Sequence, residues 1–174
     1  MRVEHGRLHA SIQKVTLDQL LARAVAEIEG ELTRKRLYLK REGDASLAVS
    51  TDPSHAHRIL TALLRNAVQY TEHGGITVTA SAQQDQVVMA IADTGIGIRA
   101  GRLGQLFARP KPGTLLHGKG LGLYLARGLA KAMGGNVTFV LSELERGSTF
   151  AVTFPRAARA SVDAAPADST PIRA

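Results

Sequence analysis

The chain contains no cysteine and no tryptophan. Without cysteine there is no disulfide, no thiol nucleophile and no cysteine-based metal site, and a reducing compartment is the default. Aromatics make up only 4% of the residues, four Phe and three Tyr, too few for a platform that stacks nucleic-acid bases. Long apolar runs are missing as well. The longest, Val87 to Ala92, falls far short of the about 20 residues that a membrane helix needs. Met1 is followed by Arg2, Glu4 and His5 rather than an apolar stretch, so no secretory signal is read and a cytoplasmic domain is expected. An acidic excess is lacking too: 22 Lys and Arg face 15 Asp and Glu, a net charge of +7. Those cations are scattered rather than striped along one element. That pattern argues against nucleic acid and is compatible with a polyanionic ligand.

What is present is ordinary soluble-domain material: 174 residues, 44% hydrophobic and 21% charged, long enough for one domain with its own core. Thr16 with Gln19 forms a capping box. Behind it, Leu17, Leu20, Leu21, Ala24, Ile28 and Leu32 recur at helical spacing. Alternation predicts short strands over Leu37 to Lys40 and Leu47 to Ser50, around the turn Glu42-Gly43-Asp44. Asp52-Pro53 reads as cap and first residue of a helix running to about Tyr70, with Leu60, Leu63, Leu64 and Ala67 as its core stripe. After the Gly74-Gly75 break, Ile76 to Ala80 and Val87 to Ala92 form a hairpin. Residues 98–117 have the length and glycine-proline content of a lid, with one helical turn near Leu103 to Phe107. A helix from about Gly120 to Met133 ends at Gly134-Gly135, and a last hairpin spans Asn136 to Leu141 and Ser148 to Phe154. Beyond Pro155 the tail holds no core residue and is expected to be disordered.

The order α-β-β-α-β-β-lid-α-β-β is an α/β two-layer sandwich: a mixed, largely antiparallel sheet packed on about three helices. It is not the alternating βαβ arrangement, which removes the dinucleotide-binding interpretation of the glycines.

Four short motifs carry chemistry, and each is weak alone. In Gly118-Lys119-Gly120-Leu121-Gly122-Leu123 the glycines admit an anion to backbone N–H groups, and the helix starting there adds its dipole. A lone box of this kind is more often just a flexible loop. Asp93 ends an apolar strand and needs a donor, which either a backbone turn or a ligand amine, such as that of adenine, can supply. Asn66 shares a helix face with Ala62, Gln69 and Tyr70. Its amide oxygen suits Mg2+, although an Asn bonded to a neighbouring loop needs no ion. Gly147-Ser148-Thr149 is explained by a hairpin turn alone.

Jointly the set is far more specific. Asn66, then Asp93-Thr94-Gly95-Ile96-Gly97, then the glycine box, then Gly147 to Phe150, at separations of about 25 to 30 residues, resembles the ATP-binding catalytic domain of sensor histidine kinases. That family lies within the wider group of gyrase, the Hsp90 chaperones and the MutL repair proteins, with the Bergerat-type ATP-binding fold. The resemblance covers roughly residues 15–155, and it makes residues 1–14 the end of a dimerisation helix with its linker and 156–174 a tail. It implies ATP and Mg2+ as cofactors. Asn66 would hold the metal. Asp93 would bind the adenine amine, with Gly95 and Gly97 shaping that wall. Gly118, Lys119, Gly120, Leu121 and Gly122 would surround the phosphates, Thr149 would support the adenine and Tyr70 would flank its ring. Phe107 matches the family's lid phenylalanine.

The departures bear on mechanism. Ala62 stands where the family usually has an Asn, and Gln69 where a Lys is common. The family's autonomous ATPases and serine-directed members carry a Glu one turn before Asn66 as general base, and Ala62 has no such chemistry. None of the six histidines, His5, His9, His55, His57, His73 and His117, is followed by an acidic residue, so no phosphoacceptor motif is present and no catalytic residue is assigned within the chain. The resemblance therefore implies a histidine kinase catalytic domain that works on a histidine-containing dimerisation domain, in cis or trans, and with a response regulator receiver domain. The full-length protein is expected to be a homodimer, with any membrane attachment supplied by segments outside this chain. The alternative is a degenerate, non-catalytic module that signals through protein contacts.

Overall fold

A computed structural model describes residues 9–109 and 121–158. The elements run β1 (Gln13–Thr16), α1 (Leu17–Ala26), α2 (Glu29–Lys35), β2 (Tyr38–Gly43), β3 (Ala48–Thr51), α3 (Pro53–Gln69), β4 (Gly75–Gln83), β5 (Gln86–Asp93), α4 (Ala100–Leu103), α5 (Leu121–Ala132), β6 (Asn136–Glu143) and β7 (Gly147–Pro155). A five-stranded sheet in the order β2-β4-β5-β7-β6 carries the helices α1, α3 and α5 on one face, and β1 and β3 pair as a separate two-stranded ribbon.

Local chemistry accounts for most boundaries. Thr16 and Gln19 make the reciprocal capping box at the start of α1. The Asp52 carboxylate accepts the N–H groups of Ser54 and His55, and Pro53 occupies the first turn of α3, where its missing N–H costs nothing. At the end of α5, Gly134 takes a φ of +79° and the Gly135 N–H bonds the Ala130 carbonyl at 2.9 Å.

The core lies between sheet and helices. Leu17, Leu20, Leu21 and Ala24 of α1 and Leu60, Leu63, Leu64 and Ala67 of α3 are all buried, as their spacing requires. They meet alternate residues of the strands: Ile76 and Val78 of β4, Val87, Met89 and Ile91 of β5, and Phe150, Val152 and Phe154 of β7.

Several expectations need correction. The first helix stops at Ala26, and Leu32 belongs to α2, although Ile28 and Leu32 stay buried and continue the same stripe. Strand β1 went unread because its four residues, half of them exposed, leave almost no alternation to detect. The strands flanking Glu42-Gly43-Asp44 do not pair with each other. Instead, β2 lies parallel to β4, Tyr38 opposite Gly75, while β3 runs antiparallel to β1. Beyond Pro155 the chain stays ordered for three residues: Arg156 donates to the Asp85 carbonyl, and a buried Ala157 donates to that of Ala48. Residues 1–8 and 159–174, expected as helix end and tail, lie outside the described residues.

Asp52 ties β1 to α3, since its second oxygen accepts the Ser11 N–H at 2.7 Å. That bond and those from His55 and Ser54 hold its carboxyl below the ordinary carboxylate range. A depressed folded pKa contributes stability that is complete above the ordinary range and is lost as pH falls through the folded value. Asp52→Ala is expected to cost about 2 kcal/mol at pH 7 in urea denaturation, and the cost should shrink below pH 4.

Candidate functional site

Strand β5 alternates strictly, with Val87, Met89 and Ile91 facing the core, and the next inward position is Asp93. Sequence periodicity thus drives a carboxylate to the buried end of a strand, where it is only 9% exposed. Two backbone donors meet it: the Gly95 N–H at 2.9 Å and the Ser148 N–H at 3.2 Å, both on Oδ1. No hydrogen bond from a described residue reaches Oδ2. Burial raises the Asp93 carboxyl above the ordinary range, against the opposing pull of the two N–H groups. One oxygen is anchored, and the other, taking no bond from a described residue, is placed to accept one.

Glycine is required around this carboxylate for close approach. Gly147 has a φ of +110°, and a Cβ there would strike the Asp93 carbonyl oxygen. At Gly95 a Cβ would strike the Tyr70 carbonyl and crowd Asp93 Oδ1. Gly97, with a φ of +72°, passes against the backbone of Glu143 and Leu144. The loop from Thr94 to Ile98 is braced on every side. Thr94 Oγ1 accepts the Gly75 N–H at 3.0 Å and donates to the His73 carbonyl at 2.9 Å. The Ile96 N–H bonds the Tyr70 carbonyl at 3.1 Å, and its own carbonyl accepts the Glu145 N–H at 3.0 Å. The Ile98 N–H donates to Ser142 Oγ at 2.8 Å, and Ser142 lies 3.0 Å from Ser148 Oγ.

The end of α3 therefore joins the same rim. Asn66 is half-buried, and Tyr70 is exposed one turn later. On that face Ala62 comes within 3.9 Å of where a Gly122 Cβ would stand, which brings the start of α5 against the middle of α3. The stripe Ala62, Asn66, Tyr70 thus runs from the first turn of α5 to the Asp93 loop. Leu121 and Gly122 open α5 in the place expected of them, whereas Gly118, Lys119, Gly120, His117 and the lid from 110 onward lie outside the described residues. Phe107 packs edge-on against Phe150 of β7, with ring centroids 6.3 Å apart, and the Arg127 guanidinium lies 4.6 Å from its centroid. Residues 98–109, the described part of the expected lid, hold α4, and a partly buried Phe107 packs this stretch against β7 and α5.

Thr149 does not join this group. It sits directly opposite Ala92 in the β5–β7 ladder, and alternation puts both on the face away from Asp93. Its neighbour Ser148, which the sequence reading did not single out, is the buried residue whose backbone N–H reaches the carboxylate. Parity with Phe150, whose ring faces the core, is the signal that the Ser148 side chain turns inward.

The donor set can be tested against the expected ligands. Among the described residues no cluster of three or more His, Asp or Glu could hold a metal by itself. A neutral amide oxygen such as that of Asn66 fits a hard ion whose other ligands are phosphate oxygens and water. Asp93 Oδ2 fits an exocyclic amine. The residues present are consistent with an adenine nucleotide carrying Mg2+.

Comparison with known proteins gives the chain's family. The model of the histidine kinase-, DNA gyrase B-, and HSP90-like ATPase family matches residues 51–158. An uncharacterized sensor-like histidine kinase of Rhizobium meliloti (strain 1021) is 30% identical over 97% of this chain and 33% of its own length. The aerobic respiration control sensor protein ArcB of Escherichia coli (strain K12) is 38% identical over 72% of this chain and 17% of its own. Among solved structures, full-length ShkA in complex with AMPPNP superposes with a TM-score of 0.76 at 28% identity, over 88% of this chain and 33% of that one. The catalytic domain of histidine kinase ThkA gives 0.73 at 23% identity, over 84% and 96%, and so speaks for the fold. The chain belongs to the histidine kinase-, DNA gyrase B-, and HSP90-like ATPase family, and within it to the ATP-binding catalytic domains of histidine kinases. It spans a third or less of the length of these curated relatives.

Two substitutions test the carboxylate's setting. Gly147→Ala is expected to cost more than about 3 kcal/mol in urea denaturation, because the new methyl group has no room against Asp93. A carboxyl with a raised folded pKa binds its proton more readily folded, so it adds stability as pH falls through that value. Asp93→Asn keeps an acceptor for the two N–H groups. It should make the ligand-free domain more stable at pH 7 and remove the wild type's gain as pH falls toward the ordinary carboxylate range.

Proposed function

We propose that this chain is the catalytic domain of a two-component sensor histidine kinase, presenting the γ-phosphate of Mg-ATP to a histidine on a separate dimerisation domain. The observation that supports it best is the half-satisfied, buried Asp93, set in a rim formed with the Asn66 face of α3 and the start of α5.

In this account Asp93 Oδ2 accepts the adenine amine, and Gly95 and Gly97 leave the wall flat enough for the ring. Tyr70 flanks it. The glycine box of residues 118–122 holds the phosphates with backbone N–H groups at the start of α5, and Lys119 adds an ammonium. Asn66 would hold Mg2+, which when bound neutralises charge on the phosphate oxygens. Phe107, already seated on Phe150 and Arg127, anchors the lid at its first end. Every one of these groups binds or orients. None is a general base: the half-buried position one turn before Asn66 is Ala62, whose methyl group packs toward Gly122. The chemistry is then transfer by positioning, with nucleophile and base brought by the acceptor domain. A receiver domain would take the phosphoryl group onward, and a homodimer, with any membrane attachment elsewhere, would be the setting. No described helix is long and apolar enough to cross a membrane.

Ala62 and Gln69 also favour a second possibility, a degenerate domain that signals by contact alone. Titration with a non-hydrolysable ATP analogue separates the two. Binding is expected at micromolar to low-millimolar concentration and should strengthen with Mg2+, and Asn66→Ala should lose about tenfold in affinity only when Mg2+ is present. The isolated chain should show negligible ATP hydrolysis. With a matching acceptor domain it should yield acid-labile phosphohistidine. Absence of binding at millimolar nucleotide would leave the contact-only module as the better account.

A further inference from the structure

The C-terminus of α3 ends without a glycine and without a basic residue in its own last turn. A helix end leaves carbonyls that need donors, and here local groups meet some of them, including a long 3.4 Å bond from the Thr71 N–H to the Val68 carbonyl, while distant groups meet the rest. The Asn66 carbonyl accepts the Tyr70 N–H at 3.3 Å, and the Ala67 carbonyl accepts Thr71 Oγ1 at 2.7 Å. The Tyr70 carbonyl takes the Ile96 N–H at 3.1 Å. Three carbonyls also converge on one cation: Lys35 Nζ lies 3.1 Å from the Val68 carbonyl, 3.4 Å from that of Gln69 and 3.1 Å from that of Thr71, with Glu72 Oε1 at 2.9 Å. The Lys35 side chain is only 15% exposed, whereas Glu72 is largely in solvent.

Its own placement is rigid. Lys35 is the last residue of α2, and Arg36 after it takes a left-handed φ of 57°, so that its N–H closes on Leu32 and Thr33. Two residues on, Tyr38 donates to the Gly74 carbonyl and begins the β2–β4 ladder. A positive charge at the negative end of the α3 dipole is favourable, and here a second helix delivers it.

We propose that Lys35 is a positioning residue of the nucleotide site. By capping α3 from outside, it fixes the turn that carries the Tyr70 carbonyl. That carbonyl holds Ile96, and through it the spacing between Asn66 and Asp93. The proposal rests on the nucleotide reading for its effect on affinity but not for its effect on the loop.

The test compares Lys35→Met, Lys35→Arg and Glu72→Gln with wild type in two measurements: amide hydrogen exchange, and titration with a non-hydrolysable ATP analogue. In Lys35→Met, exchange at Ile96 should quicken about tenfold while Met89 and Val152, inside the ladder, stay within about twofold. Analogue affinity should fall about tenfold, with most of both effects restored in Lys35→Arg and neither present in Glu72→Gln. Unchanged exchange at Ile96 would overturn the proposal, as would acceleration shared equally by Met89 and Val152, which would mean a merely structural role. Should Lys35→Met fail to fold, Lys35→Gln, a neutral donor, carries the same criteria. If wild type binds no analogue, the nucleotide reading fails, and exchange at Ile96 still decides the role of Lys35.

Discussion

A carboxylate can sit at the buried end of a β-strand only if something offsets the water it has lost. At Asp93 two backbone N–H groups, from Gly95 and Ser148, do so on one oxygen, and among the described residues none bonds the other. The rest of the architecture follows from that arrangement. For Gly95 and Ser148 to reach the same atom, the loop after β5 and the start of β7 must touch, and only glycine at 95 and 147 permits it. For the loop to hold still, Ile96 must be tied to α3 and to the β6–β7 turn. The candidate site is a polar exception cut into an otherwise regular apolar layer.

The same economy governs α3. One face of this helix fills the core with Leu60, Leu63, Leu64 and Ala67, and an adjacent stripe presents Ala62, Asn66 and Tyr70 to the start of α5 and the Asp93 loop. Packing therefore positions the site residues at no separate cost in ordering. The dispersed caps, Asp52 at one end and Lys35 at the other, keep the helix in register between a small ribbon and the large sheet. In the proposed account such a domain binds and orients, and the described residues around Asn66 offer no base. That is the division of labour expected of a catalytic unit whose nucleophile arrives on another domain.

Much of this was legible in the residues themselves. The capping box at Thr16, the Asp52-Pro53 start and the β4–β5 hairpin are written within a few residues each, and local chemistry decides them. What stayed hidden depends on partners distant in sequence. The parallel pairing of β2 with β4 leaves no local trace. The choice between Ser148 and Thr149 turns on strand parity, in a region where β6 carries an irregularity between Phe139 and Leu141. Lys35 looks like one more helical surface lysine, because all three carbonyls it meets belong to residues more than 30 positions away. The glycine box was the most conspicuous motif in the sequence, and of its glycines only Gly122 is among the described residues.

The central claim is that the free oxygen of Asp93 selects an adenine amine. It is tested most directly by comparing, in calorimetric titrations with Mg2+, non-hydrolysable analogues of ATP and of inosine triphosphate, which differ at the exocyclic amine. A buried acceptor left without its donor costs the lesser ligand heavily, so the account expects the inosine analogue to bind at least about 100-fold more weakly. Equal affinities for the two would contradict it.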